Sequence, residues 1–73
     1  MINELKQKIA PYTEKYSLKI NDDNTFLSVN NNHFYSLDKI KSIEEDDITL
    51  IIRSERYAIY LFKNVHSIHA ITY

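Results

Sequence analysis

The fold is decided by residues 48–62, ITLIIRSERYAIYLF. Two runs of β-branched and aromatic residues, 48–53 and 57–62, flank a short polar connection around Glu55 and Arg56, and this pattern predicts a β-hairpin. With a connection of even length, the cross-strand partners are Arg53 with Ala58, Ile52 with Ile59, Ile51 with Tyr60, Leu50 with Leu61 and Thr49 with Phe62. Because directly opposite side chains share a face, this register gives the hairpin two different surfaces.

One predicted face of the hairpin is purely aliphatic and suits the apolar side of a helix. Its members are Leu50, Ile52, Ile59 and Leu61. The other face mixes aromatic, aliphatic and cationic side chains, namely Thr49, Ile51, Arg53, Ala58, Tyr60 and Phe62. Interface centres are enriched in aromatic residues and arginine, whereas folded cores usually omit arginine. We therefore predict a binding site made of Thr49, Ile51, Arg53, Tyr60 and Phe62.

An amphipathic segment precedes the strands. Apolar residues at positions 2, 5, 9, 12 and 16 recur at spacings of three and four, which predicts a helix over residues 2–16. Pro11 lies opposite this apolar stripe and removes one backbone hydrogen bond. We expect a kink or break near Ala10, after which the helix resumes.

From Ser17 onward, short β-rich runs alternate with polar turns, as in an antiparallel sheet or a small barrel. The runs are residues 18–20, 26–29, 33–37, 40–44, 48–53, 57–62 and 68–72. We predict one α+β domain over residues 1–73, in which the helix packs on a strongly bent antiparallel sheet formed by residues 17–73, with about five strands. A small barrel of the SH3 or Sm type is the closed alternative.

Glycine is missing from the 73 residues, and proline occurs once. An average chain of this length would hold about five glycines. Turns that need positive φ must therefore use asparagine or aspartate, and the candidates are residues 21–24 (NDDN) and 30–32 (NNN). The lack of glycine also excludes the glycine-rich loops that bind phosphate groups, and it disfavours the sharp corners of a closed barrel.

The charge balance narrows the function classes. Nine Lys and Arg residues stand against ten Asp and Glu residues, a formal charge of −1. This balance disfavours wrapping of nucleic acid and gives no support to a membrane-surface role. No apolar run approaches the roughly 18 residues that span a bilayer, and the first residues do not resemble a signal peptide. We therefore expect a cytoplasmic protein with no membrane partner.

Catalytic and metal-binding patterns are missing as well. The chain has no cysteine, which excludes thiol nucleophiles and cysteine-ligated zinc. His66 and His69 would lie on opposite faces of a strand, which disfavours a zinc pair. The acidic run 44–47 (EEDD) is interpreted either as a solvated hairpin turn or as a mimic of phosphate groups, and its spacing does not suit calcium. We predict no catalytic residue, no metal and no cofactor.

The second face of the sheet decides the functional hypothesis. One short helix covers only one face, so the other must be closed by barrel formation, by a second copy of the chain or by a partner. We expect a protein partner together with a homodimer or higher homo-oligomer, because symmetric dimers commonly hide self-complementary surfaces.

Two functional classes remain open. In its small size, single domain and A/T-rich codon usage (Ile, Lys, Asn and Tyr are abundant), the chain resembles the small inhibitors that phages and mobile elements encode against host proteins. This resemblance implies a non-catalytic, anti-defence type of module that occludes a partner surface in the host cytoplasm. The alternative is an oligomeric Sm-like protein that binds nucleic acid or nucleotides, because a helix followed by a bent sheet is the Sm layout and exposed aromatics can stack on bases.

Overall fold

The computed structural model describes residues 1–65 and 67–73 and has an α+β architecture. The α-helix α1 (Ile2–Ile9) is followed by a 3₁₀ helix at Ala10–Tyr12. The strands are β1 (Lys19–Ile20), β2 (Phe26–Val29), β3 (His33–Ser36), β4 (Ile40–Glu45), β5 (Thr49–Ser54), β6 (Tyr57–Phe62) and β7 (Ser67–Thr72). In the part of the chain described, neither helix is long and apolar enough to cross a bilayer.

The strands form two antiparallel sheets in two compact units. Met1–Asp38 contains the helices and a three-stranded sheet of order β1-β2-β3. Lys39–Tyr73 contains a four-stranded sheet of order β4-β5-β6-β7. Each strand lies within one residue of its predicted bounds at either end. The extent of the folding domain, 1–73, stays a prediction.

The single bent sheet of about five strands is a wrong prediction. In the described residues β3 pairs with β2 and β4 pairs with β5, so the chain passes from one sheet to the other between Ser36 and Ile40. Over residues 1–65 and 67–73, neither sheet closes into a barrel of the SH3 or Sm type. Closure of a barrel needs glycine kinks or bulges at repeated corners. This chain has no glycine, and the register shift in β4, between Ile40 and Ser42, supplies one such irregularity.

The predicted break in the N-terminal helix is confirmed. α1 ends at Ile9, and the chain continues as a 3₁₀ helix that contains Pro11. Proline has no N–H to donate to the carbonyl of Gln7, so the α-helical hydrogen bonding stops there. Leu5 and Ile9 on the apolar stripe are buried, and Pro11 is exposed. The helix predicted over residues 2–16 resumes after the break only as the 3₁₀ helix to Tyr12, because residues 13–17 form turns.

Ser17 ends this helical segment in the left-handed region, with φ of 50°. The N–H of Leu18 donates to the carbonyl of Thr13 at 2.9 Å, and the N–H of Ser17 donates to the carbonyl of Glu14 at 3.3 Å. This pair of bonds is the Schellman pattern, whose left-handed position is usually glycine. The expectation that asparagine or aspartate would fill every such position missed this serine.

The asparagine turns are otherwise confirmed. Positive φ occurs at Asn24 (60°), Asn30 (55°) and Asn31 (61°). Asn30 and Asn31 connect β2 to β3 with positive φ at consecutive residues, as a type I′ turn requires. In the β1–β2 turn, the side-chain oxygen of Asn21 accepts the N–H groups of Thr25 and Phe26, both at 2.8 Å. In both turns of this sheet, asparagine therefore occupies the positive-φ positions that glycine usually takes.

The β5–β6 hairpin has the predicted register at all five pairs. The hydroxyl oxygen of Ser54 accepts the N–H of Arg56 at 3.0 Å and that of Tyr57 at 3.2 Å, which holds the connection. The aliphatic face is buried, with no more than 2% exposure at Leu50, Ile52, Ile59 and Leu61. The assignment of the two faces is therefore correct.

Replacement of Ser17 by glycine should stabilise the protein. A residue with a Cβ atom is strained at positive φ, and glycine removes that strain, although glycine also raises the entropy of the unfolded chain. We expect Ser17→Gly to raise the free energy of unfolding by about 0.5 kcal/mol in a urea titration. Ser17→Ala, which keeps the Cβ atom, is the matched control, and an equal gain in that variant would contradict the strain argument.

Candidate functional site

One face of the four-stranded sheet brings together every residue of the predicted binding site. Thr49, Ile51 and Arg53 on β5 alternate with buried residues, and so do Tyr60 and Phe62 on β6. All five are half-buried. We call this surface the mixed face. By register its members are Ser42, Glu44, Thr49, Ile51, Arg53, Ala58, Tyr60, Phe62, Ser67, His69 and Ile71.

Arg53 is the centre of the polar contacts on the mixed face. Its Nε atom lies 2.7 Å from Oε2 of Glu44 on β4. On the other side, its guanidinium carbon lies 5.7 Å from the ring centroid of Tyr60 on β6, within cation–π range. Glu44 and Tyr60 are the diagonal neighbours of Arg53 in the ladder, so the register itself places these three side chains together.

The contacts of Arg53 shift the pKa values of both members of its ion pair with Glu44. The hydrogen bond from Arg53, followed by that from the Ser42 hydroxyl, holds the pKa of Glu44 below its ordinary value. Glu44 and then Tyr60 raise the pKa of Arg53. Both members of the ion pair therefore stay charged at neutral pH. The pair is solvent-exposed, so salt weakens its attraction, and its main effect is to orient the guanidinium.

Aromatic side chains extend the mixed face toward β7. The rings of Phe62 and His69 meet edge to face, with centroids 5.7 Å apart and an interplanar angle of 88°. His69 lies opposite Tyr60 in the β6–β7 ladder. Ile71 is 50% exposed on the same face, whereas Ala58 is fully buried beneath its neighbours. The result is a surface with apolar and aromatic side chains and one oriented cation.

The acidic run 44–47 has structural partners at three of its four positions. Glu44 binds Arg53, and Oε2 of Glu45 lies 2.7 Å from the ammonium of Lys63. The side-chain Oδ1 of Asp46 accepts the N–H of Thr49 at 2.7 Å and that of Ile48 at 2.8 Å. These bonds, with the Thr49 backbone bond first, hold the pKa of Asp46 below its ordinary value. This geometry favours the interpretation of the acidic run as a hairpin turn over its interpretation as a mimic of phosphate groups.

Sequence reasoning missed part of the surface. Glu44, His69 and Ile71 join the mixed face through the registers of β4 and β7, which the hairpin pattern alone does not specify. In the other unit, Phe26 and Phe34 are 45% and 68% exposed. They line a groove of about 200 Å³ with Lys19, Asn21 and Ser28. The two phenylalanines share a face because three residues connect β2 to β3, which pairs Phe34 with Ser28. An even-length connection, as assumed for the β5–β6 hairpin, would have placed them on opposite faces.

The described residues do not bring together three histidine or acidic side chains that could hold a metal ion. The predicted placement of His66 relative to His69 falls outside the described residues. Comparison with protein-family models, curated proteins and solved structures finds no match to this chain. What the mixed face offers chemically is therefore contact area with one oriented cation.

The role of Asp46 can be tested by pH-dependent unfolding. Its pKa is depressed in the folded state, so its stabilisation is present above the unfolded pKa and is lost as the pH falls through the folded pKa. We expect Asp46→Ala to lower the melting temperature at neutral pH, and the difference from the wild type to narrow below about pH 4.

The matched control is Asp47→Ala, which removes a charge from the same turn. The measurement is thermal unfolding by circular dichroism over a pH series. A difference between Asp46→Ala and the wild type that stays constant into acid would contradict the role of the carboxylate.

Proposed function

We propose that this protein is a non-catalytic binding module that docks another protein on the mixed face and so occludes the partner's surface. The observation that carries the proposal is the composition of this face, which half-buried Ile51, Tyr60 and Phe62 share with Arg53. Tyrosine and arginine are the residue types that dominate binding energy at protein interfaces, and charged residues other than arginine are depleted there.

The arrangement of Arg53 supports this proposal. A guanidinium that is already held by Glu44 and stacked near Tyr60 loses little rotational freedom on binding. Ordering a long side chain at an interface costs roughly 0.5–1.5 kcal/mol, and a pre-oriented side chain avoids part of that cost. The face therefore presents a hydrogen-bond donor in a fixed position beside aromatic contact area.

The charge pairing also favours a protein partner over nucleic acid. On the four-stranded unit, Arg53 lies beside Glu44, Lys63 beside Glu45 and Lys39 within 3.7 Å of Glu55. Each of these three cations is thus partly neutralised before any ligand arrives. Affinity for phosphate backbones depends on a local surplus of positive charge. We therefore keep the oligomeric Sm-like nucleic-acid or nucleotide binder as the alternative.

The biological setting is part of the proposal. Small size and A/T-rich codon usage support a phage- or mobile-element-encoded inhibitor of the anti-defence type, acting in the host cytoplasm. Self-association as a homodimer or higher homo-oligomer belongs to the same proposal, because a short chain buries only a modest share of its surface by itself.

The double substitution Tyr60→Ser with Phe62→Ser tests the docking face. We expect at least a roughly thirtyfold loss of affinity for the partner, the effect of removing one strong interface residue, while the circular dichroism spectrum is retained. The partner is first captured from host cells with tagged wild type, then purified and titrated calorimetrically against each variant.

The matched control is Phe34→Ser, which removes an aromatic ring that is 68% exposed on the other unit. Full binding by Phe34→Ser, with loss in the double variant, supports the mixed face. Loss in Phe34→Ser alone would move the site to the groove beside Phe26 and contradict the proposal. Binding of single-stranded RNA that weakens steeply with salt would favour the alternative.

A further inference from the structure

The four-stranded sheet has one unprotected edge. In the described residues β7 pairs with β6 along its whole length, and its other side has no strand partner. The strand reads SIHAIT, without a Lys, Arg, Asp or Glu residue. Its residues from His69 onward are exposed. An exposed, uncharged edge strand is a template for pairing with another chain.

The opposite edge of the same sheet differs in its charge and in its regularity. β4 carries Lys41, Glu44 and Glu45, and its register shifts between Ile40 and Ser42. Charged side chains and bulges are the devices by which proteins block edge pairing. The β6–β7 ladder, by contrast, runs without a register shift through all six residues of β7. Of the two edges of this sheet, β7 is therefore the better prepared to accept a strand.

The backbone of β7 has a defined set of outward groups. The N–H of Tyr73 donates to the carbonyl of Arg56 at 2.8 Å, which continues the β6–β7 register by one step. Because hydrogen-bonding direction alternates along an antiparallel strand, His69 and Ile71 direct their backbone groups to β6 as well. At the start of the strand, the N–H of Ser67 donates to the carbonyl of Val65 at 2.8 Å. The backbone groups of Ile68, Ala70 and Thr72 consequently point to the open edge.

We propose that this edge binds a second copy of the chain, by antiparallel pairing of β7 with the partner's β7 about a twofold axis at Ala70. A twofold axis perpendicular to the sheet reverses the strand and keeps its faces, so paired residues must come from the same face. Pairing Ala70 with the partner's Ala70, and Ile68 with the partner's Thr72, uses every outward-pointing residue of β7. Both members of such a pair exchange N–H···O bonds.

The side chains fit this self-pairing. In the same register His69 lies opposite the partner's Ile71, and Ser67 lies opposite the partner's Tyr73, so no like charges meet across the axis. Ile71 and Tyr73 are 50% and 70% exposed, and both gain a neighbour. The small side chain of Ala70 lets the strands approach at the axis. The pairing also places both mixed faces on the same side of one continuous sheet.

The first test measures the mass of the assembly in solution. We expect light scattering coupled to gel filtration to approach twice the 8.7 kDa mass of the chain as the concentration rises. Ala70→Pro removes the outward N–H at the axis but leaves the bonds to β6, so it should give monomer. Ala70→Ser is the matched control, because it keeps the N–H and should still dimerise.

The second test reads the register directly and does not depend on a proline being tolerated. The chain has no native cysteine. Paired residues at the axis lie about 5.5 Å apart between Cα atoms, which suits a disulfide. Ala70→Cys should therefore oxidise to a covalent dimer. Ile71→Cys, whose two copies would be roughly 8 Å apart, should cross-link far less.

The outcomes separate the edge from the docking face. A wild-type chain that stays monomeric at every concentration overturns the proposal. A dimer that survives Ala70→Pro, or that cross-links through Ile71→Cys as readily as through Ala70→Cys, overturns this register. A foreign strand bound at the edge of a monomeric chain also overturns it. Because Tyr60 and Phe62 lie on β6 and contribute no backbone group to the open edge, the Tyr60→Ser/Phe62→Ser variant should still dimerise, whatever happens to partner binding.

Discussion

The pairing of β5 with β6 is the constraint on which the other features of the C-terminal unit depend. Side chains alternate with a period of two along a strand, so a slip of one residue would exchange the two faces. The connection is short, and the Ser54 hydroxyl oxygen accepts the N–H groups of Arg56 and Tyr57. These two hydrogen bonds fix the length of the connection. This turn keeps Leu50 buried and Arg53 in contact with solvent. The mixed face exists because the turn holds that register.

The local pattern was enough to predict the parts of the structure that depend on neighbouring residues. The strand positions, the hairpin register and the asparagine turns follow from alternation and turn chemistry, and each agrees with the structure. The break near Ala10 follows from the missing N–H of Pro11 in the same way. Ser17 was missed because a Schellman ending depends on backbone hydrogen bonds, and serine is not a residue type that signals positive φ.

The parts that failed depend on contacts distant along the chain. Whether β3 continues into one sheet with β4 is a choice between alternative pairings, and alternation is satisfied equally by either. Glu44 and His69 escaped notice for a related reason, since their face is set by a bulge in β4 and by the turn before β7. Once those registers are known, the ion pair between Glu44 and Arg53 follows from their diagonal positions. The mixed face was thus predictable in its centre and not at its rim.

The difference between the two edges determines what self-association would produce. A sheet that is open at both edges adds copies without end, whereas a sheet with one blocked edge stops after one twofold pairing. β4 is blocked by its charges and its bulge, so pairing through β7 closes at two copies. The dimer then carries two mixed faces on one side, and a partner with two matching sites would meet the second at high effective concentration. Pairing at the open edge would therefore raise the strength of the proposed docking without adding a contact to either mixed face.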